Sequence, residues 1–272
     1  MEEKVDITLL VSQAAGGDKK ALNSLMTAIQ PDIYNLSLRM LWNPDEAKDC
    51  TQDILIRILG SISSFQGHSS FKTWYYRVAS NHLLNHKIKQ DKRAAATLSF
   101  DALGALLNEN LSEPVVASDL ERKIMAEEVK IGCSLGMLQC LDNGGRLVYI
   151  LGEIIGINSI QGAVIMNISS ENFRQQLARA RKKITAFAGQ YCGLVNTAAA
   201  CSCNKAINRA VQSGMVNTQQ LRYAHDGESL QLLQKLDRIV DKTKQLFTTI
   251  PRYNTPAATL DTIRAILIKE KM

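Results

Sequence analysis

The chain has 272 residues, of which 46% are hydrophobic and 21% charged, so it can build packed cores and is not a disordered polymer. This length predicts about two domains. Only 6% of the residues are aromatic and five are proline, and there are no alternating runs of Val, Ile and Thr, so we expect an all-α fold. No apolar run approaches the ~18 residues that span a membrane, and the acidic start is not a secretory signal. We therefore expect a cytoplasmic protein with no membrane partner.

The charge and the cysteines leave several functions open. Thirty-two Lys and Arg against 26 Asp and Glu give a net charge of +6, which allows a nucleic-acid partner without establishing one. Six cysteines in a chain without a secretion signal argue against a disulfide framework. Burial, metal binding and redox sensing remain as roles for them. The sequence has no phosphate-cradling glycine loop and no catalytic triad pattern, so it does not predict an enzyme.

Hydrophobic spacing divides the chain into four segments. Residues 1–93 and 123–188 are predicted to be helical domains. Residues 94–122 mix Ala, Ser, Asn and Glu with one proline, which predicts a linker with little core of its own. Residues 189–272 form an extension that opens with cysteines and continues through a predicted helix near 228–247, a proline-bounded turn and a final helix.

An acidic helix is predicted from Pro44 to Leu59. Asn43 can cap it, and Pro44 suits its first turn. Four polar side chains share one stripe of this helix, namely Glu46, Asp49, Gln52 and Asp53. One interpretation of this acidic stripe is a solvated face, and the other is a docking surface for a basic partner.

The segment from Phe65 to Lys89 combines aromatic and basic residues after a polar loop, and its helix is predicted to begin near Ser70. Trp74 and Val78, four residues apart, are expected to lie in the core. Basic side chains beside aromatic rings are also what binding of single-stranded DNA requires, because cations neutralise phosphates and rings or pockets receive unstacked bases.

A helix-turn-helix pattern runs from Ser159 to Ile184. Asn167 allows a tight turn after a short first helix, which Gly162 weakens slightly, and Ser169 or Ser170 can cap the second helix. Apolar residues at helical spacing in the second helix are expected to face inward, namely Phe173, Leu177 and Ile184.

The outward face of this second helix carries the candidate contacts with duplex DNA. Its first exposed turn is expected to enter a major groove and read base edges, and its later basic residues to contact phosphates. The candidates are Ser170, Glu171, Asn172, Arg174, Gln175, Arg179, Arg181 and Lys182. The alternative is a basic surface helix in an ordinary bundle.

The order of these pieces resembles the bacterial RNA polymerase sigma factors, in particular the small extracytoplasmic-function (ECF) group, over about residues 15–188. Residues 43–53 are similar to the family's polymerase-binding helix. Residues 65–81 are similar to the segment that melts and reads the minus-ten promoter element. The second half is similar at residues 146–149 and 173–182.

This resemblance implies an initiation factor with no chemical step of its own. The acidic stripe would bind the basic beta-prime clamp helices of the core polymerase, and the helix after Ser169 would read the minus-thirty-five element. A flipped base of the melted minus-ten element would be held by Gln66, His68, Ser69, Lys72, Trp74, Arg77 and Asn81. The linker would thread towards the polymerase active-site channel. The expected partners are core polymerase, promoter DNA and an anti-sigma factor.

The residue patterns by themselves also allow two other functions. One is a helix-turn-helix transcriptional regulator that binds duplex DNA without polymerase. The other is a metal-sensing protein whose helices serve partner binding only. The acidic stripe discriminates, because a sigma factor needs it and a plain repressor does not.

The extension carries Cys192, Cys201 and Cys203 within a dozen residues. Three thiols can bind zinc with a fourth ligand from His225, another cysteine or a carboxylate. A redox pair and reduced structural cysteines are the alternatives, and no other cofactor is expected. This stretch is similar to cysteine-bearing tails of some ECF sigma factors, including metal-responsive ones. The later apolar stripes predict either a small helical cap or a regulator that covers the DNA-binding or polymerase-binding surface.

Overall fold

The computed structural model describes residues 7–91, 98–114, 118–219, 221–223, 247, 257–261 and 265. These residues form helices, turns and loops and include no strand, which confirms the all-α prediction. None of the helices in this part of the chain has the length and apolar character of a membrane span.

The helices of this part of the chain have the following bounds. They are α1 (Ile7–Ala15), α2 (Lys19–Leu41), α3 (Pro44–Ser61), α4 (Phe71–Asp91), α5 (Phe100–Asn108), α6 (Asp119–Gln139), α7 (Asn143–Tyr149), α8 (Ser159–Met166), α9 (Ser170–Tyr191) and α10 (Ile207–Gln212). Short 3-10 turns lie at Ile62–Ser64 and Ala257–Leu260, and a π-helical turn at Ile150–Ile154 extends α7.

The chain divides into two compact units. Unit 1 comprises residues 1–93, 157–173 and 252–272, and unit 2 comprises residues 94–156 and 174–251. The sequence predicts α8 as part of a domain over 123–188, whereas in the structure α8 packs against α4 and belongs to unit 1.

Helix α2 is the centre of unit 1. Its apolar residues recur at helical spacing and are almost fully buried, as at Leu25, Ile29, Ile33 and Leu36. Helices α1 and α3 both pack on α2, and α4 packs on α3. The chain turns from α2 into α3 at Trp42, which takes a left-handed conformation with φ 55°.

Unit 2 is built around α6, whose buried residues include Ile131, Leu135 and Leu138. The buried guanidinium of Arg146 closes the C-terminal end of α6. It donates hydrogen bonds to the carbonyl oxygens of Leu138, Gln139 and Leu141 at 2.9 to 3.0 Å. A positive charge at this helix end also complements the helix dipole.

The predicted linker 94–122 contains more structure than its composition indicates. Ser99 caps α5, and Leu103 and Leu107 of that helix are buried. The ring of Phe100 lies 5.2 Å from that of Phe187. The composition did not indicate this helix, in which apolar residues at 100, 103 and 107 make one face among polar neighbours.

Several predictions for the extension fall outside the described residues. These are the helix near 228–247 up to its last residue, the proline-bounded turn, His225, and most of the final helix. Phe247 is described, and its ring lies 5.3 Å from that of Tyr149 in an edge-to-face arrangement.

Candidate functional sites

The acidic stripe lies on a helix whose local sequence explains its start. The side chain of Asn43 accepts the backbone N–H groups of Asp45 and Glu46 at 3.0 and 3.2 Å, and Pro44 occupies the first turn, as predicted. The opposite face of α3 is buried at Ala47, Cys50, Ile54, Leu55 and Ile58. Asp49 and Asp53 are therefore exposed, while Glu46 and Gln52 are half-buried.

The stripe contributes to the electrostatics of its surroundings. Burial raises the pKa of Cys50 to about 12, and the charges of Asp53, Glu46 and Asp49 contribute in the same direction. Helix α4 places imidazoles at the edge of the stripe, with His82 Nε2 at 3.9 Å from Asp53 Oδ2 and His86 Nε2 at 3.9 Å from Glu46 Oε2. These two contacts depend on how α3 and α4 pack, so they could not be predicted from the sequence.

A cleft of about 990 Å³ opens along α3 and α4. Its lining includes Arg57, Asn81, His82, Asn85 and Lys89. It thus combines two cations with amide and imidazole groups, a set that can hold a phosphate and the edge of a base. Asn81, predicted to contact DNA, is exposed and lines this cleft.

The polar loop before α4 ends in the predicted cap. Ser70 Oγ accepts the backbone N–H of Thr73 at 3.2 Å, and α4 begins at Phe71. Within the loop, Gln66 Oε1 lies 3.0 Å from His68 Nε2. The predicted DNA contacts Gln66, His68, Lys72 and Arg77 are exposed, and Ser69 is half-buried.

The structure buries a different set of side chains in this segment from the set that was predicted. The rings of Phe65, Phe71 and Trp74 lie 5.5 to 5.6 Å apart in one cluster. Trp74 and Val78 are half-buried, so their assignment to the core is corrected. The core positions of this part of α4 include Phe71, Tyr75 and Tyr76, and Tyr75 donates a hydrogen bond to Asp32 at 2.7 Å. Trp74 is left as a partly exposed ring beside the polar loop.

The helix-turn-helix is present as predicted. Helix α8 ends at Met166, and Asn167 takes the left-handed conformation with φ 52°. Of the two candidate caps, Ser169 holds α9, because its Oγ accepts the backbone N–H of Asn172 at 3.1 Å. Gly162 has a role that the sequence did not indicate. A Cβ added there would lie 2.4 Å from a ring carbon of Phe173, so the missing side chain lets this ring pack against α8.

Helix α9 has one buried and one exposed face. Phe173, Leu177 and Ile184 are buried, which confirms their predicted orientation. The exposed predicted DNA contacts are Glu171, Arg174, Gln175, Arg179, Arg181 and Lys182, while Ser170 and Asn172 are half-buried. Arg181 also forms an ion pair with Glu153 of the π-helical turn.

The cysteines of the extension are brought together by the backbone. The N–H of Gly193 donates to the carbonyl oxygen of Cys201 at 2.9 Å, which places Cys192 and Cys203 beside the same contact. Among the described residues, no three His, Cys, Asp or Glu side chains are arranged as a ready metal site. The zinc site at Cys192, Cys201 and Cys203 stays a prediction.

Comparison with known proteins connects these features to a family. The family model for sigma-70 region 2 matches residues 25–93, which include α3 and α4. The ECF RNA polymerase sigma-E factor of Escherichia coli (strain K12) is 28% identical over 184 residues, which cover 68% of this chain and 95% of that protein. The RNA polymerase sigma-H factor of Pseudomonas aeruginosa is 28% identical over 182 residues, which cover 64% and 90%. The solved structure of CnrH in complex with the cytosolic domain of CnrY matches with a TM-score of 0.48 and 19% identity, covering 65% of this chain and 94% of that one.

Proposed function

We infer that the chain is an RNA polymerase sigma factor of the ECF group, which binds the core polymerase, recognises promoter DNA and directs transcription initiation. The observation that carries this function is the exposure of Asp49 and Asp53 on α3, inside the segment that matches sigma-70 region 2. The buried face of α3 fixes the helix, so the carboxylates are presented in a constant register to a partner.

The acidic stripe is the proposed polymerase-binding surface. Exposed carboxylates that repeat every three or four residues complement a basic helical surface, and such charge complementarity sets the register and the rate of association. The basic surface we propose is that of the beta-prime clamp helices. The contact is expected to weaken with salt, because exposed charges are screened.

The cleft along α3 and α4 and the polar loop form the proposed minus-ten surface. Asn81 and Lys89 line the cleft, and Lys72 and Arg77 are exposed on the same helix. Extruding a base costs a few kcal/mol. A protein that binds the extruded base and the strand's phosphates lowers the free energy of the melted promoter, and this needs no chemical step.

The exposed face of α9 is the proposed minus-thirty-five surface. Its first turn offers Asn172, Arg174 and Gln175, residue types that form paired hydrogen bonds with base edges in the major groove. Arg179 and Lys182 follow along the helix and are assigned to phosphates, where they contribute affinity more than sequence specificity.

The second candidate is a helix-turn-helix regulator that binds duplex DNA without polymerase. Binding of purified core polymerase separates the two. Reversing the charge of Asp49 and Asp53 to Lys in the full chain is expected to abolish core binding while far-ultraviolet circular dichroism stays unchanged. The matched control is Glu109→Lys, which reverses one exposed carboxylate outside α3. A charge-reversed chain that binds core as well as the wild type would favour the regulator.

The place of action and the regulatory partner follow from this function. The sigma factor works where the polymerase transcribes, in the cytoplasm. Its acidic stripe and the exposed face of α9 are the surfaces that an anti-sigma factor would need to cover, so we include such a factor among the partners.

A further inference from the structure

A fourth cysteine joins the three of the extension, and the sequence did not identify it. Cys133 lies on α6, 59 residues before Cys192, and its thiol is near enough to Cys192, Cys201 and Cys203 for each of them to raise its pKa. The neighbouring residue Gly132 also faces the extension, since a Cβ added there would lie 3.4 Å from the side chain of Met215. The cysteines are all free thiols.

We propose that Cys133, Cys192, Cys201 and Cys203 form a four-thiolate site for one zinc ion, which fastens the extension to α6. This site goes beyond transcription initiation and does not rest on it. Four sulfur donors from one small region match the ligand number and softness that zinc takes in closed structural sites.

The backbone supports this grouping. The hydrogen bond from Gly193 to the carbonyl oxygen of Cys201 is so close that a Cβ at Gly193 would lie 2.5 Å from that oxygen. The chain next to Cys192 and the chain at Cys201 are therefore pressed together. Helix α10, which begins four residues after Cys203, packs against α6. The C-terminal end of the cysteine segment is thus held against α6, the helix that carries Cys133.

Four neighbouring sulfur donors can together hold one divalent cation. Negative charges on adjacent thiolates oppose one another. A bound dication offsets this repulsion, and each thiol releases its proton to solvent as it becomes a ligand.

Binding would include a rearrangement of the sulfur atoms, since they do not form a ready coordination site. A cysteine side chain turns about one χ1 bond, so a change of rotamer moves its sulfur atom without moving the backbone. The result would be a zinc ion with four protein ligands and no open coordination position. Such a site has a structural role and not a catalytic one.

Metal titration of the full chain tests the proposal without polymerase or DNA, so its outcome is independent of the transcription assignment. The reduced, chelator-treated chain is titrated with Co²⁺ and then Zn²⁺. We expect one ion per chain, with the intense thiolate-to-cobalt charge-transfer and tetrahedral ligand-field bands of a sulfur-rich site. Zinc is expected to displace cobalt and to raise Tm.

Single substitutions identify the ligands. Cys133→Ser is expected to weaken zinc binding by more than about 10-fold, the smallest loss that even an outer-shell partner causes. Cys203→Ser, on the extension, is expected to do the same and covers the case in which Cys133→Ser does not fold. Cys140→Ser is the matched control on the C-terminal end of α6, because its thiol donates to the carbonyl oxygen of Gly136 and should not affect zinc.

Three outcomes overturn the proposal. The first is a wild-type chain that binds no stoichiometric zinc after full reduction. The second is that the Cys133→Ser chain and the Cys203→Ser chain both fold and each binds zinc as tightly as the wild type. The third is a spectrum that lacks sulfur-to-cobalt bands, which would assign the ion to oxygen or nitrogen ligands.

Discussion

The carboxylate of Glu128, in the middle of α6, accepts the backbone N–H of Tyr223 at 2.9 Å, and its other oxygen accepts the N–H of Arg222 at 2.7 Å. Glu128 is fully buried. A buried carboxylate is tolerated only when it is hydrogen-bonded, and these two amides supply charge-assisted bonds. The end of the cysteine-bearing segment is therefore fastened to α6 by a second contact, independent of the thiols.

Glu128→Gln is expected to loosen this contact. The amide group would turn an NH₂ towards one of two backbone donors, and the loss of a hydrogen bond to a charged group costs about 1.5–3 kcal/mol. We expect faster hydrogen–deuterium exchange at the amides of Arg222 and Tyr223 and a lower urea midpoint. Glu109→Gln removes an exposed carboxylate and should leave both quantities at their wild-type values. Unchanged exchange in Glu128→Gln would show that the carboxylate does not hold this segment.

Gly162→Ala is expected to destabilise the helix-turn-helix. The added Cβ would lie 2.4 Å from the Phe173 ring, and overpacking of this kind costs typically about 1–3 kcal/mol, which outweighs the roughly 1 kcal/mol that alanine gains in a helix. Thermal unfolding measures the difference. Gly189→Ala, in α9 with open space around its Cβ, should be neutral or stabilising. A Gly162→Ala chain as stable as Gly189→Ala would contradict this packing.

His82 is expected to make the stability fall in acid. Burial lowers its pKa below the ordinary 6.5, and Arg57 adds to the shift, while Asp53 opposes it. The unfolded chain therefore binds this proton more readily than the folded chain does. His82 has no effect on the free energy of unfolding at high pH, and it lowers that free energy as the pH falls through 6.5. Urea unfolding about one pH unit above and below that value should show a smaller loss for His82→Gln than for the wild type. Equal losses would mean that the histidine has no such effect.

Arg179→Ala is expected to weaken DNA binding without changing the preferred sequence. If Arg179 contacts one phosphate, its loss lowers the slope of log K against log salt by about 0.9. Gln175→Ala should instead reduce the difference in affinity between promoter duplexes and unrelated duplexes, since it removes a candidate base contact. Lys123→Ala, an exposed cation on α6, serves as the charge control. A salt slope for Arg179→Ala equal to that of Lys123→Ala would remove Arg179 from the phosphate-binding surface.

The local features were predictable from the sequence because each depends on neighbouring residues. The cap at Asn43, the start of α4 near Ser70 and the turn at Asn167 follow from side chains that bond or tolerate the adjacent backbone. The acidic stripe and the inward face of α9 follow from helical spacing alone.

The long-range features were not predictable in this way. Cys133 joins the extension because α6 and the extension pack together, and nothing around residue 133 indicates that neighbour. From the sequence alone, Gly162 indicates only a weakened helix, because its contact with the Phe173 ring is seen only in the folded chain. Helix α5 was missed because small and polar residues dominate the composition of 94–122 and conceal its apolar spacing.

Run-off transcription with purified core polymerase tests whether this chain directs transcription initiation. The full chain is added to core on a library of promoter fragments, beside core alone and beside core with the chain reversed at Asp49 and Asp53. We expect defined new transcript starts with the wild-type chain and none with the reversed chain. Promoter fragments bound tightly by the wild-type chain, with no core binding and no new transcripts, would contradict it and establish a regulator that acts without polymerase.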